Sequence, residues 1–311
     1  MNFISTAAIN SGLEKNREKY AELSENVYNS QLRSAAEKII LEKDKRPLVL
    51  ISGPSGSGKT TSALKIARLI EQQGYKVNTM SMDNYFLPGG IEDMPRDENG
   101  NVDLESPMRL DIPLFSEHLK KLFACEPIDV PIFDFAAQLR KGSIPIQRKE
   151  NEITIIEGIH ALNPQVTGDT DAFTNCIYVS VRTRITSSDN DILHPRLIRL
   201  MRRLSRDSLF RGRRLPDIFD MFKSVSRGED LYIMPYKHRA QIEIDTFLAY
   251  EASVYTGVLS DKMKLIEKEM ANSENYRMLV KFMSELHPIR SDIVPPNSLI
   301  REFVGGSEFT Y

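Results

Sequence analysis

Cysteine is scarce: the 311 residues hold two, Cys125 and Cys176. Both lie in apolar surroundings with no C-x-x-C nearby, which excludes a disulfide framework and points to a reduced, cytoplasmic compartment. The opening MNFISTAAINSG has neither the basic start nor the long apolar stretch of a signal peptide. No apolar run approaches the length of a transmembrane span, so no membrane partner is expected. Five scattered histidines show no metal-ligand spacing, which argues against zinc. The formal charge is only −2, so the overall balance gives no reason to expect nucleic acid, and only local clusters could. Also missing are the N-K-x-D guanine motif of a GTPase and the LSGGQ signature of an ABC ATPase. There is no internal repeat and no low-complexity segment.

What is present begins with 41% apolar residues, ample for a core in one large α/β domain or two small ones. The organising stretch is LVLISGPSGSGKTT, residues 48 to 61. Gly53, Gly58, Lys59 and Thr60 fit G-x-x-x-x-G-K-[ST], with a β-branched strand before the motif and an amphipathic helix after it. Glycines at 53, 56 and 58 let the backbone turn and approach a ligand closely. The N–H groups of Ser55, Gly56, Ser57, Gly58, Lys59, Thr60 and Thr61 then face phosphate oxygens at the positive end of a helix. Lys59 adds a full charge, and the Thr60 hydroxyl suits Mg²⁺.

Along the chain, residues 16 to 43 read as a charged helix with Tyr20, Leu23, Val27, Ala35 and Ile39 as its apolar positions. A helix over 62 to 73 ends at Gly74, and a strand over 76 to 82 delivers Asp83 to the sheet edge where parallel sheets bind ligands. Asp83 is either a general base or the cap of the following turn. Residues 88 to 107 form a loop, and Asp111 caps a helix whose buried face includes His118, read as a core residue. Three prolines between 127 and 148 predict an edge hairpin, in which Phe133 and Phe135 are either core residues or one of them faces a planar ligand. The buried run Ile153 to Ile156 ends in Glu157, placed for a metal or its waters.

After a strand over 176 to 181 comes HPRLIRLMRRLSRDSLFRGRR. At about 100° per residue, Arg199, Arg202, Arg203 and Arg206 share one arc, with Leu197, Leu200, Met201 and Leu204 opposite. Arg211, Arg213 and Arg214 follow in a Gly-containing turn. No glutamate is interleaved, so an arginine lid over a triphosphate is the reading, with an RNA-binding patch as the competitor. A last strand spans 241 to 246, two helices follow, and the tail around LIREFVGG shows no legible chemistry.

GPSGSGKTT, SMDNYFL, ESP followed by LD, PIFDF, IIEGIHAL and RLMRRLSRDSLFRGRR, in this order, resemble the uridine kinase (uridine-cytidine kinase) family of P-loop kinases, and more closely a bacterial uridine-kinase-like branch. The resemblance implies a P-loop NTPase fold, a parallel sheet flanked by helices, with a β-hairpin flap for the acceptor and an arginine-rich lid. It implies a domain at 46–250, with helical extensions at 1–45 and 251–311. The implied reaction is ATP- and Mg²⁺-dependent phosphorylation of a nucleoside 5′-hydroxyl. Asp83 would be the base, with Lys59, Arg202 and Arg206 in catalysis and Arg211 and Arg213 on phosphates. Thr60 and Glu157 would hold the metal. Tyr85, Glu105, Phe133, Phe135, Gln138 and Arg199 would contact the acceptor. The chain departs from pyrimidine-specific members, which have Asp at Glu105, Tyr at Phe133 and a base-reading His at Gln138, so their hydrogen-bond pattern to the base is not inherited. Rival readings are a kinase of another small alcohol, pantothenate- or phosphoribulose-like, and an ATP-binding RNA-associated regulator. A homo-oligomer stays open.

Overall fold

A computed structural model describes residues 2–310. In chain order the strands are β1 (Phe3–Ser5), β2 (Leu48–Ser52), β3 (Lys76–Ser81), β4 (Ile128–Asp134), β5 (Leu139–Ile146), β6 (Glu152–Glu157), β7 (Thr174–Ser180), β8 (Arg184–Thr186), β9 (Ile192–Leu193) and β10 (Ile242–Asp245). The helices are α1 (Thr6–Glu42), α2 (Lys59–Glu71), α3 (Ile112–Phe123), α4 (Pro164–Thr167), α5 (Pro195–Phe210), α6 (Leu215–Tyr232), α7 (Glu251–Leu265), α8 (Glu267–Met270), α9 (Glu274–Glu285) and α10 (Arg301–Val304).

Five strands form a fully parallel sheet in the order β10-β7-β2-β6-β3. All five residues of β2 are buried, as a strand covered on both faces requires. Its side chains alternate between two apolar clusters. Val49 and Ile51 join helices α1, α2, α5, α7 and α9 on one face. Leu48 and Leu50 join α3, the β4–β5 hairpin and the turn after β3 on the other. From β2 the chain crosses outward to β3, returns to β6 beside β2, then continues to β7 and β10 on the far side. The order therefore reverses at β2, and the crevice at the carboxyl ends of the strands opens directly over the glycine loop.

The antiparallel β4–β5 hairpin occurs where the prolines predict it, with a register shift between Ile132 and Phe133. Asp111 caps α3 through the Leu114 N–H at 3.2 Å.

The first helix departs from expectation in extent and face. It begins at Thr6, and Asn16 leaves helical geometry (φ −170°, ψ 102°) while accepting from the Lys19 N–H at 2.8 Å. The stretch read from residue 16 is thus the second half of a kinked helix, restarted by its own cap. Its buried stripe runs through Ala21, Ser24, Glu25, Tyr28, Leu32, Ala35 and Ile39, leaving Leu23 and Val27 exposed. Polar side chains face inward because the core meets them: Tyr28 shares a 2.8 Å hydrogen bond with Ser62, and the Tyr250 hydroxyl donates to Glu25 at 2.7 Å. Gln31 of α1 bonds both backbone groups of Asp245, donating to its C=O at 3.0 Å and accepting from its N–H at 2.9 Å.

Candidate active site at the carboxyl ends of the strands

One cleft of about 1000 Å³ lies over the loop that follows β2. The loop's shape depends on missing side chains. A Cβ on Gly53 would stand 2.0 Å from the Val179 carbonyl oxygen. Gly58 caps α2 in the left-handed region (φ +84°), and a Cβ there would meet Leu299 at 2.3 Å. The Lys59 ammonium makes only a long contact, 3.4 Å, to the Pro54 carbonyl. Ser57 Oγ is buried with no hydrogen-bond partner among the described residues. Such a loop, rich in donors and poor in acceptors, fits an anion.

Ser55, Gly56, Gly58, Lys59, Thr60, Asp83, Glu105, Phe135, Gln138, Glu157, Arg206, Arg211 and Arg213 all line this cleft. It thereby unites most of the residues singled out in the sequence. Gly53, Ser57 and Thr61 lie buried beneath it within the loop and first turn of α2.

Asp83 sits in the 3-10 turn after β3, and that turn is capped by the Ser81 hydroxyl, which accepts from the Asp83 N–H at 3.3 Å. The capping alternative for the Asp83 side chain is therefore corrected: its carboxylate is left to the cleft. Solvent reaches Asp83 from the cleft side, while dense protein on its other sides pushes its carboxyl up against the opposing charges of Lys59, Arg109 and Arg211. Glu157 ends β6 level with Ser81 of β3. Burial, countered by Lys59 and reinforced by Asp83, pushes it up to about 7. Two neighbouring carboxylates with raised affinity for protons are a marker of a cation or proton-transfer site.

Glu105 is half-buried with one carboxylate oxygen unpartnered, and its carboxyl is pushed up, chiefly by burial. Helix α6 approaches it at Gly228, where a Cβ would come within 2.2 Å of Glu105 Cβ. Asp103, nearby on the same loop, is held by the Tyr232 hydroxyl at 2.8 Å and by Arg227 at 3.2 Å. Of the two hairpin phenylalanines, Phe135 is 53% exposed at the cleft and Phe133 is buried, with Phe86 and Phe135 set edge-on against it. Gln138 turns the hairpin in the left-handed region (φ +53°) and donates its amide to the Phe135 carbonyl at 2.7 Å.

Four assignments need correcting. Tyr85 does not reach the cleft: it is fully buried, its hydroxyl 2.8 Å from His118 Nδ1. Phe133 is likewise a core residue. Arg199 is 2% exposed, donates to the Ser55 carbonyl at 3.0 Å and to Glu229 at 2.5 Å, and lines a separate cleft of about 740 Å³. Arg202 is sealed in the interior against Glu251 and Thr246. The exposed row of guanidiniums does not exist on α5, because Arg199 and Arg202 are paired by Glu229 of α6 and Glu251 of α7, and Arg206 by Asp207 of α5 itself. Asp207, with no side-chain exposure, gathers Arg203, Arg206, Arg211 and Arg213 within 4 Å. Burial opposes its charge, but these guanidiniums, Arg206 foremost, hold its carboxyl below the usual range.

The structure adds Arg203, Arg109, Asn84 and Glu302 to the cleft. Arg203 bonds the Ser55 hydroxyl, and burial brings its guanidinium down to about 10, with Asp207 opposing that fall. Arg109 stacks over the Phe86 ring at 4.4 Å. Arg203 was visible on the arginine arc, yet one-helix geometry could not say which arginine faces which cleft. Glu302 had no signal.

The sequence model of the Phosphoribulokinase / Uridine kinase family matches residues 48–251. The chain belongs to that family. Uridine kinases of Staphylococcus aureus strains JH9 and Newman are each 32% identical over 198 residues, covering 63% of this chain and 86% of theirs. Among solved structures, a Possible Uridine Kinase from Bacillus stearothermophilus aligns at 17% identity and a TM-score of 0.48, covering 70% of this chain and 98% of that one. D-glycerate 3-kinase from Cryptococcus neoformans aligns at 15% identity and a TM-score of 0.34, covering 82% and 87%. Membership of the phosphoribulokinase/uridine kinase family makes the chain a P-loop kinase with a small alcohol as acceptor, and implies ATP with a divalent metal. Residues before 48 and after 251 lie outside the matched span. Among the described residues no helix is long and apolar enough to cross a membrane.

Proposed function

We propose that the chain transfers the γ-phosphoryl group of ATP to the 5′-hydroxyl of a nucleoside, with Mg²⁺ as the metal. The observation that carries this reading is that Asp83 shares one cleft with Lys59 and Thr60 of the phosphate loop and with Glu105 and Phe135. A donor phosphate and a sugar alcohol can thus meet across one carboxylate.

The residues present fit ATP and its metal. The loop keeps its shape because Gly53 has no Cβ to collide with the Val179 carbonyl, and the buried Ser57 Oγ has no partner among the described residues. Among the described residues no group of three or more His, Cys, Asp or Glu could cage a metal alone. Thr60 and Glu157 would therefore hold Mg²⁺ jointly with phosphate oxygens, the usual manner for this ion. When bound, the ion neutralises phosphate charge.

The acceptor hydroxyl gives its proton to a carboxylate oxygen of Asp83 as its oxygen bonds to the γ-phosphorus, and the bond from that phosphorus to the bridging oxygen breaks, releasing ADP. Lys59, Arg206, Arg211 and Arg213 spread positive charge over the moving phosphoryl group. Glu105 and Arg203, which replaces Arg199 in this role, hold the sugar hydroxyls. Phe135 offers its ring to the base, beside the Gln138 amide. Together with the turn carrying Arg211 and Arg213, the hairpin shields the reaction from water.

A panel of nucleosides, pantothenate-like alcohols and sugar phosphates, read by coupled ADP release, tests the reading. Nucleosides should give the highest kcat/KM. A phosphorylated sugar or pantothenate-like acceptor outperforming every nucleoside would replace it. The RNA-associated alternative loses its main support, because Arg199, Arg202 and Arg203 are buried.

A further inference from the structure

The carboxyl-terminal segment, unreadable in the sequence, lies against the phosphate loop. Ser298, Leu299, Ile300 and Phe303 are fully buried. Leu299 fills the space that the missing Gly58 side chain leaves. The Phe303 ring lies beneath the Arg202 guanidinium at 5.4 Å, and Asn297 offers its carbonyl to Lys65 of α2 at 3.0 Å. This packing drives one charged side chain into the cleft: Glu302 lines it and accepts from the Thr61 hydroxyl in the first turn of α2 at 2.6 Å.

We infer that Glu302 is an intramolecular anion occupying part of the phosphate seat, so that the carboxyl-terminal segment sets the chain's affinity for its phosphate donor. The first turn of a helix after a glycine loop is where an anion is most stabilised. Here a carboxylate already holds a hydroxyl of that turn. Its charge reaches both walls, working to lift the Glu157 carboxyl and to retain the Arg211 proton. A donor's phosphates carry the same sign and must approach the same helix turn. Binding must therefore displace the Glu302 carboxylate or tolerate its repulsion, and either lowers affinity. The inference rests on the loop being a phosphate cradle, and is independent of which alcohol is the acceptor.

Titration calorimetry on the full chain tests it, with ATP, inorganic tripolyphosphate and uncharged adenosine as probes. Glu302→Gln keeps an oxygen for the Thr61 hydroxyl and removes only the charge. It should bind ATP and tripolyphosphate about tenfold tighter and leave adenosine unchanged. Glu302→Ala should shift in the same direction, with an unchanged melting temperature in both variants certifying the fold. Equal or weaker tripolyphosphate binding by both variants overturns the inference and leaves the kinase reading intact. An equal gain for adenosine also overturns it, since opened space and not removed charge would be the cause. No binding of any phosphate by wild type or variants removes the cradle itself, and with it both readings.

Discussion

Arg202 and Glu251 meet in a two-pronged ion pair, 2.8 and 3.0 Å, with neither side chain exposed. The same guanidinium donates to the Gly56 carbonyl at 3.1 Å and the Thr246 carbonyl at 2.7 Å. It therefore ties α5 to α7 and steadies the phosphate loop from behind. Arg202→Ala leaves the Glu251 carboxylate buried without its partner and should cost about 3–5 kcal/mol of stability. Urea denaturation measures this, and an unchanged midpoint would mean the pair is not sealed.

Asp83→Asn keeps the shape of the side chain and removes the proton acceptor. Turnover should fall by about 10² to 10⁴ while ATP still binds. Lys59→Ala should abolish measurable turnover with little loss of fold, because its only hydrogen bond among the described residues is the 3.4 Å contact to Pro54. Single-turnover kinetics alongside nucleotide titration separates the two effects; near-normal kcat in Asp83→Asn would withdraw the base assignment.

Glu157 makes stability depend on pH with a definite sign. Its carboxyl rises from an ordinary 4.5 to about 7, so the folded chain holds a proton that the unfolded chain has released. The contribution is fully present below about 4.5 and lost as pH rises through about 7. Asp83 is raised in the same direction. In the absence of nucleotide, the melting temperature should drop over this window, and Glu157→Gln should flatten the slope. A slope of equal size in that variant would place the titration elsewhere.

Arg203 and Arg199 can be told apart by kinetics. Arg203→Gln should raise the acceptor KM about tenfold or more, since a group facing the cleft is lost. Arg199→Gln should act mainly on stability, because it removes the closer of the two guanidiniums, Arg199 and Arg196, that pair with buried Glu229. The reverse pattern would exchange their roles.

The catalytic core was legible because its signals are local. A buried apolar run, a glycine loop and an acidic residue at each strand end each need only a few neighbouring residues to be recognised. Failures came where the partner is distant in sequence. The arginines of α5 looked unpaired because Glu229 and Glu251 lie 30 and 49 positions away. Leu23 and Val27 pointed out of α1 because Ser24, Glu25 and Tyr28 find polar partners in the core, which a count of apolar positions cannot foresee. Glu302 entered the cleft by the packing of Leu299 and Phe303, with no motif of its own.

The paired bonds from Gln31 to Asp245 have a use beyond anchoring a helix. β10 borders the sheet, and its outward N–H and C=O groups would template a strand from another molecule. One glutamine amide imitates such a strand for a single residue, and the long helix bearing it shields what lies around it. Cutting away everything before residue 46 would strip off this guard. Light scattering should then find the trimmed kinase sticking to itself, however intact its catalytic residues remain.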